Sequence, residues 1–383
     1  MNNLRVLIFS ATFGAGHIRA AEAIIEAMQS KTPAVEISHL DFGEFLNKSF
    51  HSVLKSTYIE MIKHTPKLWG TFYYGTAKIS PDSMWQRMLN SLGRQEFLKY
   101  IYSYQPDLII CTYPTVAGVL AKLRERKILN IPLITIVTDY TVHSQWVHPG
   151  VDLYIVGNKF VQEGLISRGI DPSTIKVTGI PVSPKFERPL HREDLTRRFG
   201  LTPDLPTVLL MGGAFGVLGG LKRICQMLSN SQTLVQSIVV CGHDDKLYKS
   251  LDSIISEAKN PVLRYGFVRN VEELMSVSDL IITKAGGLTV SEALTKKLPM
   301  IIYKPIPGQE KENAEYIRAI GAGVVANTES EMEQILTSLF NDPQQIERMR
   351  QAASQALPER AAEQAVEYML RIAEDVGLGQ KIG

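Results

Sequence analysis

Arg5-Val-Leu-Ile-Phe-Ser-Ala-Thr-Phe-Gly-Ala-Gly-His17 is the stretch on which the fold turns. After Arg5, Val6–Phe9 is an apolar run of strand length, half of it β-branched. A glycine-rich turn follows at once. From His17 to Gln29 the apolar residues then recur at helical spacing. A buried strand that runs through a glycine turn into a helix begins a parallel α/β sheet. Outward from this unit the alternation continues, with strands predicted at Val35–Leu40, Leu108–Cys111, Leu133–Val137 and Leu153–Val156. Helices are predicted at Val116–Arg126 and Lys159–Ser167.

The pattern restarts at Thr207–Met211, which leads into Gly212-Gly-Ala-Phe-Gly216 and Gly219-Gly220. Strands are expected at Ser237–Cys241, Leu280–Thr283 and Met300–Tyr303, with helices at Leu218–Leu228, Leu247–Ala258, Thr289–Thr295 and Glu310–Ala319. Between the two series, Gly179-Ile-Pro-Val-Ser-Pro184 and the charged run Glu187–Arg198 read as a linker. The expected organisation is a first domain over 1–185, a second over 200–355 and a helix over 356–383. A Gly/Lys-rich tail beyond Gly377 reads as frayed.

A chain of 383 residues with 45% hydrophobic and 21% charged residues can bury two cores and is neither disordered nor a disulfide scaffold. A net charge of +2 excludes a globally basic nucleic-acid binder. Cys111, Cys225 and Cys241 lie far apart with no metal-ligand spacing, which points to a reducing compartment. The amino terminus runs straight into a strand, and no apolar stretch reaches the ~20 residues that span a bilayer. The expectation is a cytosolic protein whose membrane contact is peripheral.

One segment interrupts the alternation. Residues 47–104 hold eleven aromatics, eight Lys/Arg and three Asp/Glu, with no strand pattern. They read either as a helical insertion with its own aromatic core or as an interfacial platform. In the platform reading Trp69, Phe72, Tyr73 and Tyr74 lie at headgroup depth and the cations attract anionic lipid.

The chemistry-bearing residues cluster after strands. In the first loop Gly14 and Gly16 permit a tight turn onto a helix N-terminus. His17 and Arg19 occupy positions where a dinucleotide site wants small residues. An imidazole at the mouth of a sheet can act as a general base near neutral pH, so His17 is the candidate base. Gly212 and Gly213 form a second cradle for phosphate. In Lys284-Ala-Gly-Gly-Leu-Thr-Val-Ser-Glu292, Thr289 and Glu292 fit a capping box. Equally, the N–H groups of Gly286–Thr289 could meet a diphosphate while Glu292 accepts from ribose hydroxyls. Gln309, Glu310 and Asn313 suit hydroxyl recognition or helix capping. Thr138-Asp139-Tyr-Thr-Val-His143-Ser-Gln-Trp146-Val-His148 suits acceptor binding near the base, with metal binding as the competing reading.

Taken together, Phe13–His17, Thr138-Asp139 with His143, Trp146 and His148, Gly179–Val182, Lys284–Glu292 and Pro307–Glu310 with Asn313 resemble glycosyltransferase family 28. More narrowly, they resemble its processive diacylglycerol glucosyltransferases and monogalactosyldiacylglycerol synthases, almost end to end. The resemblance implies a GT-B fold: two Rossmann-like domains on either side of a cleft, with the last helix returning to the first domain. It implies inverting transfer of a hexose, glucose favoured, from a UDP-sugar to diacylglycerol, with neither metal nor cofactor. His17 would be the base, and Asp139 would orient it, bind acceptor or itself be the base. Gly14, Gly16, His143, Trp146 and His148 would lie on the acceptor side. On the donor side, Gly212, Gly213, Gly287, Leu288 and Thr289 would meet phosphate, Glu292 ribose, Gln309 and Glu310 the hexose, and Phe267 and Val268 the uracil. Residues 47–104 would meet the inner face of a bacterial membrane. Transfer to a polyprenyl-diphosphate lipid, sugar-nucleotide epimerisation and non-catalytic sensing are the alternatives.

Overall fold

The computed structural model describes residues 3–12, 15–45, 60, 61, 65–77, 79, 83, 94–212 and 220–382, with side chains as far as 375. The chain divides into two units. Met1–Pro184, Pro307–Gln309 and Pro358–Gly383 form the first, and Lys185–Ile306 with Glu310–Leu357 the second.

In the first unit β1 (Arg5–Ser10), β2 (Glu36–Asp41), β3 (Leu108–Cys111), β4 (Leu133–Ile136), β5 (Leu153–Val156) and β6 (Ile175–Val177) form one sheet in the order β2-β1-β3-β4-β5-β6. All its pairings are parallel. Successive side chains on a strand point to opposite faces, and β1 shows it. Leu7 and Phe9 join one buried cluster with Phe97, Val116, Leu120 and Trp146, while Val6 and Ile8 join the other with Ile24 and Met28. The second face is covered by helix Ala15–Lys31, which buries Ala20, Ala23, Ile24, Ala27 and Met28 along one stripe.

The last helix, Ala361–Ile382, packs beside it, with Ala362, Ala365, Val366 and Met369 in the same cluster. That spacing of three and four residues is a single helical face. Lys31 and Glu367 close the seam with an ion pair of 2.6 Å. The helix runs on to Ile382, so the glycines at 377 and 379 do not end it as the frayed-tail reading expects.

In the second unit β7 (Thr207–Met211), β8 (Gln236–Val240), β9 (Val262–Tyr265), β10 (Leu280–Thr283), β11 (Met300–Tyr303) and β12 (Gly323–Ala326) form a second sheet in the order β12-β11-β10-β7-β8-β9. Read from the other edge, this is the doubly wound order of dinucleotide-binding folds. Two expectations need correction here. The charged linker contains a helix, Arg192–Phe199, closed by Gly200 in the left-handed conformation. Arg192 and Arg198 pair with Asp279 and Glu273, which ties that helix to the second unit. The helix expected over Leu247–Ala258 is broken at Leu251 into Asp245–Ser250 and Asp252–Ser256.

Of residues 47–104, helices Pro66–Thr76 and Arg94–Tyr104 are described; most of the remainder lies outside the described residues. Among the described residues no helix is long and apolar enough to cross a membrane.

Candidate active site

In a parallel sheet, ligands gather at the carboxyl ends of strands where the winding reverses. In the first unit that point lies between β1 and β3, and both neighbours contribute. β1 delivers Ser10 and the loop to helix Ala15–Lys31, which carries His17 in its first turn. Gly14 lies outside the described residues; Gly16 lies within the first turn. β3 delivers Thr112, whose carbonyl oxygen is 2.7 Å from His17 Nδ1. A carbonyl can only accept, so Nδ1 carries the proton and Nε2 is the lone-pair nitrogen. Thr138 Oγ1, just past β4, lies 3.0 Å from the same Nδ1, and Thr112 Oγ1 donates back to the His17 carbonyl at 2.9 Å. The rings of Tyr113 and Trp146 stand 5.1 and 6.4 Å from the imidazole. Crowded in this way, His17 has its pKa pushed down to about 4 by desolvation, with only the Thr112 carbonyl opposing. It is therefore neutral at physiological pH and able to accept a proton at Nε2.

Asp139 is half-buried beside Thr138. The rest of this loop is turned inward. Trp146 and His148 are 2% and 3% exposed, so they line the interior of the loop and not its surface. His148 Nε2 donates to Gln145 O at 2.7 Å, and its pKa is also pushed down to about 4 by burial. Tyr154 pins the loop from below, its hydroxyl 2.9 Å from both His148 N and Trp146 O. His143 is buried too and bonds to the last turn of helix Pro66–Thr76. Among the described residues no three His, Cys, Asp or Glu side chains are grouped to hold a metal ion.

In the second unit the winding reverses between β7 and β10. Gly212 follows β7 and is buried; Gly213 and the rest of that loop to Gly219 lie outside the described residues. After β10 the chain passes through Lys284 to helix Gly287–Thr295. Its N-cap is Gly286, with no side-chain cap, and Thr289 sits inside the first turn. This overturns the capping-box reading, and it has a chemical consequence. Gly286 brings no side-chain cap to the first-turn N–H groups of Gly287, Leu288 and Thr289, and a helix N-terminus without such a cap is a ready anion site. Glu292 follows one turn later, half-buried.

The neighbouring β11 loop is locked to this one. Asn313, fully buried, donates to Ala285 O at 2.9 Å, so its amide holds backbone. Glu310 Oε1 accepts from Lys284 Nζ at 3.0 Å, and Oε2 accepts from the Ile306 N–H at 3.2 Å. Glu310 thus holds the Lys284 ammonium and the turn before its own helix. Gln309 opens that helix, half-buried. At the sheet's other side Phe267 is 43% exposed and stacks on His243, ring centres 4.4 Å apart and 12° from parallel. Val268 beside it is half-buried.

Two family models match, monogalactosyldiacylglycerol synthase over residues 17–182 and the glycosyltransferase family 28 C-terminal domain over residues 207–366. A processive diacylglycerol β-glucosyltransferase of Bacillus subtilis is 33% identical over 380 residues, covering 99% of this chain and 98% of that one. The chain belongs to glycosyltransferase family 28. Solved structures agree on the fold. MurG of Acinetobacter baumannii matches with a TM-score of 0.63 at 16% identity, over 96% of this chain and 99% of that one. A UDP-GlcNAc 2-epimerase of Neisseria meningitidis, bound to UDP-GlcNAc, matches at 0.59 and 15%, over 96% and 100%. The two doubly wound units are those of the GT-B fold.

For this family 28 member, sequence reasoning missed Thr112, which sets the His17 tautomer, and His243, which backs Phe267. Thr112 carried one usable signal: it is the first polar residue after a buried strand that neighbours β1. His243 carried none, because its partner is 24 residues away in another loop.

Proposed function

We propose that this glycosyltransferase moves glucose, with inversion, from UDP-glucose to the free hydroxyl of diacylglycerol, making β-glucosyl-diacylglycerol. The observation that carries the reading is the end-to-end likeness to a processive diacylglycerol β-glucosyltransferase. The geometry of His17 supports the mechanism. Nε2 of the neutral ring takes the hydroxyl proton, the freed oxygen attacks the anomeric carbon, and the bond from that carbon to UDP breaks. Leaving-group charge falls on the diphosphate, which the first-turn N–H groups of Gly287, Leu288 and Thr289 stabilise with Gly212 and Gly213, without a metal. Glu292 takes the ribose hydroxyls, Gln309 the hexose, and the face of Phe267 with Val268 the uracil. Asp139, with Gly14 and Gly16, serves the acceptor side. His143, Trp146 and His148 serve that side as its frame.

An acceptor with two acyl chains has to be met at a bilayer. The helix Pro66–Thr76 supports a peripheral platform at the cytoplasmic face, because Leu68, Phe72 and Tyr74 are 59%, 43% and 42% exposed. Tyr73 is not part of that face: it is 7% exposed and packs on His143. Incubating the protein with UDP-glucose or UDP-galactose and dioleoylglycerol in anionic micelles tests the whole reading. Glucosyl-diacylglycerol is the expected product. UDP release without any hexosyl lipid would move the acceptor elsewhere, and conversion of the sugar nucleotide alone would indicate an epimerase.

A further inference from the structure

His143 and Ser144 grip the end of the exposed apolar helix. The backbone N–H of Gln145 donates to His143 Nδ1 at 3.2 Å, so the ring proton sits on Nε2. Nε2 in turn lies 3.2 Å from the Tyr73 carbonyl and 3.2 Å from Thr76 Oγ1. Thr76 donates its own hydroxyl proton to Phe72 O at 2.8 Å, which leaves its oxygen to accept from the imidazole. Ser144 Oγ adds a bond of 2.8 Å to the Thr76 carbonyl. A helix leaves its last four carbonyls without partners inside the helix. Here the Tyr73 and Thr76 carbonyls each find a backbone partner, the N–H groups of Ala77 and Ile79 at 2.9 and 3.1 Å, and side chains of the loop that carries Asp139 add a second bond to each. The imidazole also packs on the Tyr73 ring, centres 4.7 Å apart.

The helix therefore has two opposed faces. Gly70 and Tyr73 are buried, and Tyr73 meets the clamp, while Leu68 and Phe72, one turn apart, are open. The same loop reaches the base through Thr138, 3.0 Å from His17. A short chain of bonds thus links the apolar helix to the reacting end of the first unit.

We propose that His143 and Ser144 are positioning residues that cap the apolar helix onto the catalytic loop, so that a lipid held by Leu68 and Phe72 presents its hydroxyl at a fixed place relative to His17. His143 acts through the helix and does not touch the acceptor. The proposal rests on the diacylglycerol reading, and its test separates the two. Hydrogen exchange over residues 66–77 would be compared in the native protein, His143→Ala, His143→Gln and Ser144→Ala. Transfer would be measured with dioleoylglycerol in vesicles and with a water-dispersed short-chain diacylglycerol.

Loss of the imidazole donor should raise exchange in 66–77 at least tenfold in His143→Ala. It should raise KM for the vesicle acceptor by a similar factor, with calorimetric UDP affinity unchanged. His143→Gln, whose amide can donate where Nε2 did, should regain part of both. Unaltered exchange in 66–77 for both His143→Ala and Ser144→Ala overturns the clamp. Raised exchange with an unaltered vesicle KM overturns its coupling to the acceptor. If the native protein makes no hexosyl lipid, the diacylglycerol reading fails while the exchange comparison still decides the clamp. Should His143→Ala not fold, Ser144→Ala, which removes a single cap bond, carries the same comparison.

Discussion

Lowering the pH from 7.5 to 5.5 should leave kcat/KM almost level, although the proposed base is a histidine. An imidazole with the ordinary pKa near 6.5 would be about 90% protonated at pH 5.5, and a rate that needs the neutral ring would fall about tenfold. His17 is held at about 4 by desolvation, so at pH 5.5 only about 3% of it is protonated. The base limb of the profile should therefore bend near pH 4. Initial rates of UDP release in neutral detergent micelles give the profile with acceptor presentation held constant, and circular dichroism at each pH confirms the folded state. His17→Gln is the control. Removing a general base costs 10²–10⁴ in rate, or about 2.7–5.4 kcal/mol at 1.36 kcal/mol per decade, and should abolish the bend as well. A tenfold loss between pH 7.5 and 5.5 in a folded native protein that His17→Gln does not share would refute the reasoning. It would mean that the Thr112 and Trp146 surroundings do not hold the imidazole neutral.

His148 shares the depressed pKa. Between pH 6.5 and 4 the unfolded chain takes a proton there that the folded chain refuses, so folding stability falls with pH through that window, by about 3 kcal/mol in all. His148→Phe should reduce the slope of urea-unfolding free energy against pH there by about one proton, and an unchanged slope would contradict the burial argument. Asn313→Ala leaves the Ala285 carbonyl without its amide donor inside the second unit and should cost about 1–3 kcal/mol in chemical denaturation. It should also weaken UDP binding measured by calorimetry, because the loop before Gly287 loosens; an unchanged unfolding midpoint would count against it. Met369→Ala, at a fully buried position of the last helix, should cost about 2–5 kcal/mol of first-unit stability, and a loss below 1 kcal/mol would show that this helix is only loosely docked.

The sequence was most legible where burial was strongest. β3, β5, β7, β10 and β11 stand where the apolar runs put them, each inside a sheet with neighbours on both sides. The three strands that sequence reasoning passed over, β6, β9 and β12, all lie at sheet edges. Ile175-Lys-Val177 is too short to show a period, Val262–Tyr265 carries Arg264 and is half-buried throughout, and Gly323–Ala326 begins on glycine. An edge strand covers less of its surface and so needs less hydrophobic pattern. In the site, the glycine turns and His17 were visible because a strand, a turn and a helix follow one another in the chain. The capping box at Thr289 and Glu292 was a false signal, since the same spacing occurs one turn inside a helix that Gly286 begins. Thr112 and His243 matter only through partners brought near by folding, and spacing along the chain does not encode that.

The docking of Ala361–Ile382 on the first sheet has a consequence for synthesis. The face formed by Val6, Ile8, Ile24 and Met28 is finished by Ala362, Val366 and Met369, which are made only after the whole second unit. Residues 185–357 must be made in between, which takes about 9–35 s at 5–20 residues per second. For that interval the nascent chain holds one apolar sheet face open while the second unit, whose residues are nearly contiguous, can close on its own. The first unit to be translated is thus the last to be completed, and that waiting period is when the chain has most need of a chaperone.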